Sequence, residues 1–412
     1  MTDAAAAARP LRVLFVIAYP HRNAGANRSL FELVTHLPPS VRPLVLVTEE
    51  GAVSRLYRAA GVEVAVLPVG GALGTFGGRL ARTSAWERAR TALGHLLPFT
   101  LRLRRLIRRA GVELVHVNDA RAALLAAPAA RLARRPVVAH LRGEFPFGRA
   151  GRLLFARAAD RIVAVSEGAR RSLGPAGMRK SVVVYNGIGS PRPGPPIPFL
   201  RALRERGVVV AGCFASVVPF KGQHHLIEAL ARLNARGWRD RLAVVCVGDF
   251  PAGHEAYHAH LQRLCAEHGI DNLTFAGWQD DPFAFYPQVD LTVLPSVTCE
   301  RLALDGRELE VRGSEGFPRT HLEAMSFGLP VVGTRIAGVP EQVADGETGL
   351  LAPPGDPAAL ADALERLLES PELRARLGAA GKARVARLFS TEAYVAGVME
   401  VFTALAGARG AR

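Results

Sequence analysis

Short apolar runs rich in β-branched residues alternate along the chain with longer stretches of helical periodicity. Such alternation is typical of parallel sheets whose strands are joined by crossover helices. The runs predict two series of strands, first at 12–18, 43–48, 62–67, 112–118, 136–141, 161–165 and 182–185, then at 208–214, 242–247, 273–276, 290–294, 330–334 and 349–352. The pattern therefore predicts an α/β protein with two Rossmann-like, doubly wound domains.

A proline-rich segment separates the two series. Residues 189–199 read GSPRPGPPIPF, and its five prolines cannot continue a strand or a helix. We therefore predict a hinge between an N-terminal domain at 1–190 and a C-terminal domain at 200–390, with the last helix and its flank, 391–412, packing back to complete the first domain. Two such domains are expected to face each other across a cleft, since folds of this type bind ligands at the carboxyl ends of their strands.

Composition narrows the class of protein. The chain has 412 residues, more than one core usually organises, and 49% of them are hydrophobic. No apolar run approaches the roughly 20 residues that span a bilayer, and the first residues do not resemble a secretory signal. We therefore expect a cytoplasmic protein. The four cysteines have no C-x-x-C spacing, so we interpret them as buried small hydrophobes.

Two turns could hold an anion. Gly25 precedes an amphipathic helix after the first strand, and Lys221 precedes a helix after strand 208–214. Free amides at a helix N-terminus attract phosphate groups, and an ammonium beside them would add to this effect. The G-x-G-x-x-G and P-loop motifs are absent, which argues against NAD, FAD and P-loop nucleotides. The alternatives are a plain tight turn at Gly25 and a solvated surface lysine at Lys221.

The segment EGFPRTHLEAM carries two glutamates, Glu315 and Glu323, eight residues apart. We predict a helix that starts at Pro318, because the first helical position tolerates proline. The amides of Arg319 and Thr320 would then be free to bind phosphate, and the carboxylates could accept paired hydrogen bonds from sugar hydroxyls. The alternatives are a helix N-terminal carboxylate at Glu315 and a solvated helix face at Glu323.

Residues 315–364 resemble the C-terminal signature of the retaining glycosyltransferases of family 4, which have the GT-B fold, and Glu315 and Glu323 match the E-x(7)-E motif of that family. The resemblance extends over nearly the whole chain, because further segments follow in the family's order. They are GANRSLFEL, VNDARAALLAAPAARLARRPVVAHLRGE, ADRIVAVSEGARRSL, VVVYNGIG, PFKGQHHLIEALARL, VVCVGDFP, FAGWQDD and VDLTVLPS.

The resemblance implies roles for these residues. Glu315 would contact hydroxyls of a nucleoside-diphosphate sugar, Glu323 would hold the ribose, and Lys221 would neutralise the diphosphate, as prepositioned charge does for a leaving group. Retention of anomeric configuration is likewise implied. The donor-binding residues would be Glu323, Gly25, Ser216, Gly316, Phe317, Arg319, Thr320 and Trp278, the last near the nucleobase.

Three departures from the family pattern bear on the site. Ser216 stands where the family commonly has an arginine, and Arg142, with His140 two residues earlier, stands where many members have a catalytic histidine. Either Arg142 or His140 could contact donor phosphate or acceptor, or be structural. An insertion at 297–313 has the alternation of a hairpin and could be a lid or an acceptor-facing loop. Its Glu300 could imitate the first glutamate of the motif.

The sequence predicts neither a metal nor another cofactor. QDDP at 279–282 and DGE at 345–347 are not the D-x-D motif of metal-dependent glycosyltransferases. His254, His258 and His260 have helical spacing without further ligands, and we interpret them as a solvated face.

The positive charge belongs to the first half. Residues 1–200 carry 30 Lys and Arg against 11 Asp and Glu, whereas the remaining residues carry 22 against 26. A basic amphipathic helix at 99–110 suits an anionic membrane surface, although it could equally pack on its own sheet. We expect peripheral association with the inner face of the cytoplasmic membrane, an acceptor that is a glycan or lipid-linked saccharide of the cell envelope, and no nucleic acid.

Two other functions fit parts of the pattern. A nucleotide-sugar epimerase shares the two-lobed fold, but the intact E-x(7)-E segment argues against it. A catalytically silent protein that binds sugar nucleotides or membranes would explain Ser216 and the insertion.

Overall fold

The computed structural model describes residues 9–20, 25–70, 92–145, 148–190, 192–313 and 315–410. The chain divides into two compact units. Unit 1 comprises Met1–Gly187 with Thr391–Arg412, and unit 2 comprises Ile188–Ser390. Among the described residues, no helix combines the length and the apolar character needed to cross a membrane.

Unit 1 is built on a seven-stranded parallel sheet. Its strands are β1 (Leu11–Ile17), β2 (Val41–Val47), β3 (Glu63–Val66), β4 (Leu114–Val117), β5 (Val137–Leu141), β6 (Arg161–Ala164) and β7 (Ser181–Val183), in the order β3-β2-β1-β4-β5-β6-β7. β1 to β7 read as continuous apolar runs because helices cover both faces of such a sheet. The strand order reverses between β1 and β4.

The helices of unit 1 are α1 (Gly25–Thr35), α2 (Ala52–Ala59), α3 (Leu97–Arg109), α4 (Ala120–Leu132), α5 (Arg149–Ala158), α6 (Glu167–Arg171), α7 (Gly174–Met178) and α15 (Thr391–Gly410), and a π-helical turn, Ala92–Leu96, leads into α3. Helix α15 lies at the far end of the chain, yet its Tyr394, Val398 and Phe402 are buried in the same core as Phe15 and Tyr57. The last helix is therefore an integral part of unit 1.

Unit 2 is built on a six-stranded parallel sheet. Its strands are β8 (Val209–Phe214), β9 (Leu242–Val247), β10 (Leu273–Gly277), β11 (Leu291–Leu294), β14 (Val331–Thr334) and β15 (Gly349–Ala352), in the order β10-β9-β8-β11-β14-β15. The helices are α8 (Pro198–Glu205), α9 (Gln223–Ala235), α10 (Glu255–Glu267), α11 (Arg319–Ser326), α12 (Val339–Gln342), α13 (Pro357–Glu369) and α14 (Pro371–Leu388), with 3₁₀ turns at Pro219–Lys221, Pro282–Ala284 and Tyr286–Gln288. The order reverses between β8 and β11.

The inserted segment forms a hairpin, as its alternation predicted. Strands β12 (Cys299–Leu304) and β13 (Arg307–Arg312) pair antiparallel as a separate two-stranded sheet. Asp305 and Gly306 join them with φ of 49° and 74°, the left-handed conformations that a two-residue type I′ turn requires. Leu304 is buried among Val217, Tyr257 and their neighbours, so the hairpin packs on unit 2.

The predicted fold class is confirmed, and each of the thirteen predicted strands exists within two residues of its expected bounds. The helix expected at Pro318 begins one residue later, at Arg319, because Pro318 has an extended ψ of 121° and serves as the N-cap. The proline-rich segment is bonded to unit 2, since Ile197 N donates to Gln288 Oε1 over 2.7 Å.

Two histidines lie inside the sheet of unit 1. His116 of β4 and His140 of β5 are both fully buried, and His116 Nε2 lies 3.2 Å from His140 Nδ1. Burial, aided by the charge of Arg142, lowers the pKa of His116 to about 3 and lowers that of His140 as well. Both rings are therefore neutral in the folded protein.

These histidines should make unit 1 sensitive to acid. Below the unfolded histidine pKa near 6.5, these histidines bind protons in the unfolded chain but stay neutral in the folded unit. The free energy of unfolding therefore falls as the pH decreases from about 6.5 towards 3. His116 contributes about 1.4 kcal/mol per pH unit over that range, and His140 acts in the same direction. The midpoint of thermal unfolding, measured from pH 7 to pH 5, should therefore fall less in His116→Phe than in the wild type. The exposed His268→Phe should follow the wild type, and equal pH dependence of His116→Phe and the wild type would contradict this explanation.

Candidate active site

Two loops of unit 2 meet where the strand order of its sheet reverses, the position at which doubly wound folds bind ligands. One loop follows β8 and the other follows β11. Val297 N donates to Phe220 O over 2.8 Å. Gly222 has a φ of 71°, and a Cβ there would stand 2.0 Å from the carbonyl oxygen of Pro295, so only glycine fits. The 3₁₀ turn that ends in Lys221 is therefore fixed against the end of β11.

The two residues predicted to carry the chemistry contact each other directly. Lys221 Nζ donates to Glu315 Oε1, and Ser296 Oγ donates to the same oxygen over 2.7 Å. The side chains of Lys221 and Glu315 are 18% and 7% exposed. Ser296 is held in turn by Thr334, whose Oγ1 donates to the Ser296 carbonyl over 2.5 Å. An ammonium, a carboxylate and a hydroxyl thus form one partly buried cluster at the switch point.

The start of α11 is anchored beside this cluster. His321 is buried, and burial lowers its pKa to about 4. Its Nδ1 lies 3.3 Å from Gln342 Oε1, while Gln342 Nε2 donates to Pro318 O over 3.0 Å. The N-terminal amides of α11 are therefore held at a fixed place on unit 2, as an anion site requires.

Glu323 differs from Glu315 in its surroundings. Its side chain is 1% exposed, and its two oxygens accept hydrogen bonds from Tyr286 Oη over 2.8 Å and from Arg319 Nε over 3.2 Å. Tyr286 is sandwiched between the rings of Phe214 and Phe327, at centroid distances of 4.0 and 5.3 Å. Both carboxylate oxygens thus accept bonds within unit 2, and contact with a ribose remains a prediction.

The other predicted donor residues of unit 2 lie at several places. Ser216 Oγ donates to Asp249 Oδ1 over 2.5 Å at the ends of β8 and β9. Trp278, 45% exposed, follows the edge strand β10, and its Nε1 donates to Asp280 Oδ1. Gly316 is buried, Phe317 packs its ring on that of Phe389, and Thr320 is half-buried in the first turn of α11.

In unit 1, Arg142 stands just beyond the carboxyl end of β5. Its Nε and Nη2 donate to Asn118 Oδ1 over 2.9 and 2.7 Å, and its Nη1 donates to Asn186 Oδ1 and Tyr394 Oη. All of these partners are neutral oxygens. Burial raises the pKa of the nearby Asp119 carboxyl, and the charge of Arg142 acts on it in the opposite direction. His140, by contrast, is completely buried.

Gly25 begins α1 with a φ of 24° and lies in the same part of unit 1. The following residues are tied to Asn118, whose Nδ2 donates to Ala26 O over 3.3 Å and to Asn27 Oδ1 over 3.4 Å. The first turn of α1 and Arg142 therefore share one asparagine. Sequence reasoning did not single out Asn118, Asn186 or Tyr394. The two asparagines could have been found, because each follows a strand of the parallel sheet at the edge where such sheets place functional groups.

Glu300 does not imitate Glu315. It lies on β12 and pairs with His224 and His225 at the start of α9. His254, His258 and His260 were predicted to form a solvated face, but all three are half-buried. His258 packs edge-on against Phe250. The α10 histidines thus lie partly beneath neighbouring side chains.

The basic helix packs its apolar side inward. Phe99, Leu103 and Ile107 of α3 are buried, which favours the second of the two interpretations considered for its apolar face. Exposed residues of α3 include Leu97, Leu101, Arg102, Arg105, Arg108 and Arg109. The outer side of α3 is therefore strongly cationic.

Comparison with known proteins agrees with this arrangement. Residues 24–190 match the family described as Glycosyltransferase Family 4, and residues 205–384 match the Glycosyl transferases group 1. A GDP-mannose-dependent alpha-(1-6)-phosphatidylinositol monomannoside mannosyltransferase of Mycolicibacterium smegmatis is 31% identical over 300 residues, 68% of this chain and 74% of that protein. The chain belongs to glycosyltransferase family 4, and its fold is GT-B.

Two further similarities are more limited. A D-inositol 3-phosphate glycosyltransferase of Corynebacterium efficiens is 34% identical over 185 residues, which span 43% of this chain and 40% of that relative. The crystal structure of Anabaena Alr3699/HepE in complex with UDP and glucose has a TM-score of 0.76 at 23% identity and covers 95% of this chain and 99% of that one. The HepE similarity shows the fold alone.

Proposed function

We propose that the protein transfers a sugar from a nucleoside-diphosphate sugar to a glycan or lipid-linked acceptor of the cell envelope, with retention of anomeric configuration. The observation that carries this proposal is the cluster of Lys221, Ser296 and Glu315 beside the start of α11, at the switch point of unit 2. Membership in family 4 supports the activity, and the name of the mycobacterial mannosyltransferase supports a lipid-linked acceptor.

In the proposed reaction, the bond between the anomeric carbon and the diphosphate oxygen breaks while an acceptor hydroxyl forms the new glycosidic bond and gives its proton to an oxygen of the departing diphosphate. Negative charge grows on the departing diphosphate. The Lys221 ammonium and the amides of Arg319 and Thr320 are fixed in advance, so they stabilise that charge without reorganising. These cationic and amide groups take the place that a divalent ion has in other glycosyltransferases, and we propose that transfer proceeds without one.

Glu315 has two tasks in this proposal. Its carboxylate orients the Lys221 ammonium and accepts hydrogen bonds from donor-sugar hydroxyls. Glu323 and its partner Tyr286 form a rigid base beneath the first turn of α11 and bind the ribose. In unit 1, the guanidinium of Arg142 binds an anionic group of the substrates.

Glu315→Gln should abolish most of the transfer. Loss of one preorganised electrostatic contact costs about 10²- to 10³-fold in rate, and we expect that loss in kcat/KM for acceptor-dependent release of the nucleoside diphosphate. A panel of nucleotide sugars and envelope-type acceptors serves as substrates, and thin-layer analysis of products distinguishes transfer from epimerisation.

The matched control is Glu369→Gln, an exposed carboxylate on α13 that should transfer like the wild type. Because Glu315→Gln leaves a buried ammonium without its partner, folding is checked by thermal unfolding before each assay. A folded Glu315→Gln variant whose transfer stays within threefold of the wild type would refute the role given to this residue.

We also propose that the outer side of α3 binds the anionic inner face of the cytoplasmic membrane. Four exposed arginines and two exposed leucines share this helix, and each cation near an anionic surface contributes about 1 kcal/mol. The surplus of positive charge in residues 1–200 supports the same proposal.

Substituting Arg105, Arg108 and Arg109 by Gln should weaken binding to vesicles rich in anionic lipid by about 100-fold, as measured by flotation at low salt. Wild-type binding should decrease at high salt because screening shortens the reach of the charges. The control replaces Arg376, Lys382 and Arg387 of α14 by Gln, which removes the same charge from unit 2. Equal flotation of the two triple variants would exclude α3 as the binding surface.

A further inference from the structure

The hairpin β12–β13 is fastened to the start of α9 by an unusual group of side chains. His224 Nε2 lies 2.9 Å from Glu300 Oε1, and His225 Nε2 lies 2.7 Å from Glu300 Oε2. One ligand atom from each of the three residues can be chosen so that all lie within 4.8 Å of one another. His224 is almost completely buried at 3% exposure, and the other two side chains are largely covered.

The hydrogen bonds of Tyr257 bear on which nitrogen of His224 carries the proton. When the Tyr257 hydroxyl donates its single proton to Gln223 Oε1 over 3.3 Å, it accepts from His224 Nδ1, which lies 2.9 Å away and carries the hydrogen in that tautomer. In a neutral imidazole, the other nitrogen is then unprotonated, so His224 Nε2 presents a lone pair.

That lone pair stands beside a carboxylate oxygen. Although His224 Nε2 and Glu300 Oε1 are 2.9 Å apart, their contact does not have hydrogen-bond geometry, and neither atom has a hydrogen-bond partner among the described residues. Two buried acceptors at this distance repel each other unless a positive charge lies between or in front of them. A shared cation would satisfy both atoms.

The ligand types suit a divalent ion of borderline softness. Tetrahedral Zn²⁺ holds imidazole nitrogen and carboxylate oxygen at about 2.0–2.2 Å, which puts neighbouring ligand atoms about 3.3 Å apart. Two imidazoles with one carboxylate form a known zinc ligand set, and a ligating histidine usually donates its other N–H to an oxygen, as His224 does to Tyr257.

We propose that His224, His225 and Glu300 bind a Zn²⁺-like divalent ion that clamps the inserted hairpin to α9. The ligands come from two elements that are 75 residues apart in sequence, so the ion would cross-link the insertion to the helix that follows Lys221. This proposal departs from the sequence prediction of no metal, which rested on the missing D-x-D motif and on the histidines of α10. Its role is structural, and transfer itself is not routed through the ion.

The test uses the full-length chain without an affinity tag, stripped with a chelator and then dialysed against Zn²⁺. We expect about one zinc per chain by mass spectrometry, and a Co²⁺-substituted sample should show the intense visible absorption of a tetrahedral site. Glu300→Gln and the double variant His224→Asn/His225→Asn should bind zinc at least about tenfold more weakly. The exposed His268→Asn should bind like the wild type.

Protection of the hairpin provides a readout that is independent of these variants. Arg301 and Arg307 are exposed on the hairpin, so trypsin should cut there more slowly when zinc is bound to the wild type. Far-UV circular dichroism verifies that each variant is folded. Absence of stoichiometric zinc from the wild type, or equal zinc binding by wild type and folded Glu300→Gln, would overturn the site. Zinc binding without a change in the rate of cleavage would overturn the clamp.

Discussion

The candidate active site depends on an ion pair between a partly buried ammonium and a buried carboxylate. Lys221 and Glu315 are 94 residues apart in the chain, and each would be an uncompensated charge without the other. Removing one partner of such a pair typically costs 3–5 kcal/mol, a large part of the stability of a domain. The pair therefore binds the loop after β8 to the segment before α11, and it positions the charges proposed to act on the donor.

The surroundings of the pair explain why it can be held there. Glycine at 222 allows the turn to approach the Pro295 carbonyl, and Ser296 adds a neutral donor to the same carboxylate oxygen. The pair lies at the carboxyl edge of a parallel sheet, so solvent or a ligand can reach the ammonium from one side. In unit 1, Arg142 is fixed differently, by hydrogen bonds to the neutral oxygens of Asn118 and Asn186.

Much of this fold could be predicted from the sequence, because buried parallel strands appear as apolar runs of strand length. Topology predicted that Lys221 and Glu315 lie at the same sheet edge, but their direct ion pair was not predicted. The bonds of Glu323 to Tyr286 could not be predicted, because no local pattern relates a glutamate on α11 to a tyrosine in a 3₁₀ turn. The partners of Glu300 were missed for the same reason. The alternation of the insertion predicted a hairpin but not the surface on which it packs.

The most direct test of the central claim is a double-mutant cycle on Lys221→Met and Glu315→Gln, measured as kcat/KM of acceptor-dependent transfer and as free energy of unfolding. If the two residues act as one unit, the double variant should transfer no more slowly than the slower single variant, within about threefold, and should be more stable than either, because it leaves no buried charge unpaired. Losses of transfer that multiply in the double variant, or unfolding free energies that simply add, would contradict the claim that this ion pair organises the site.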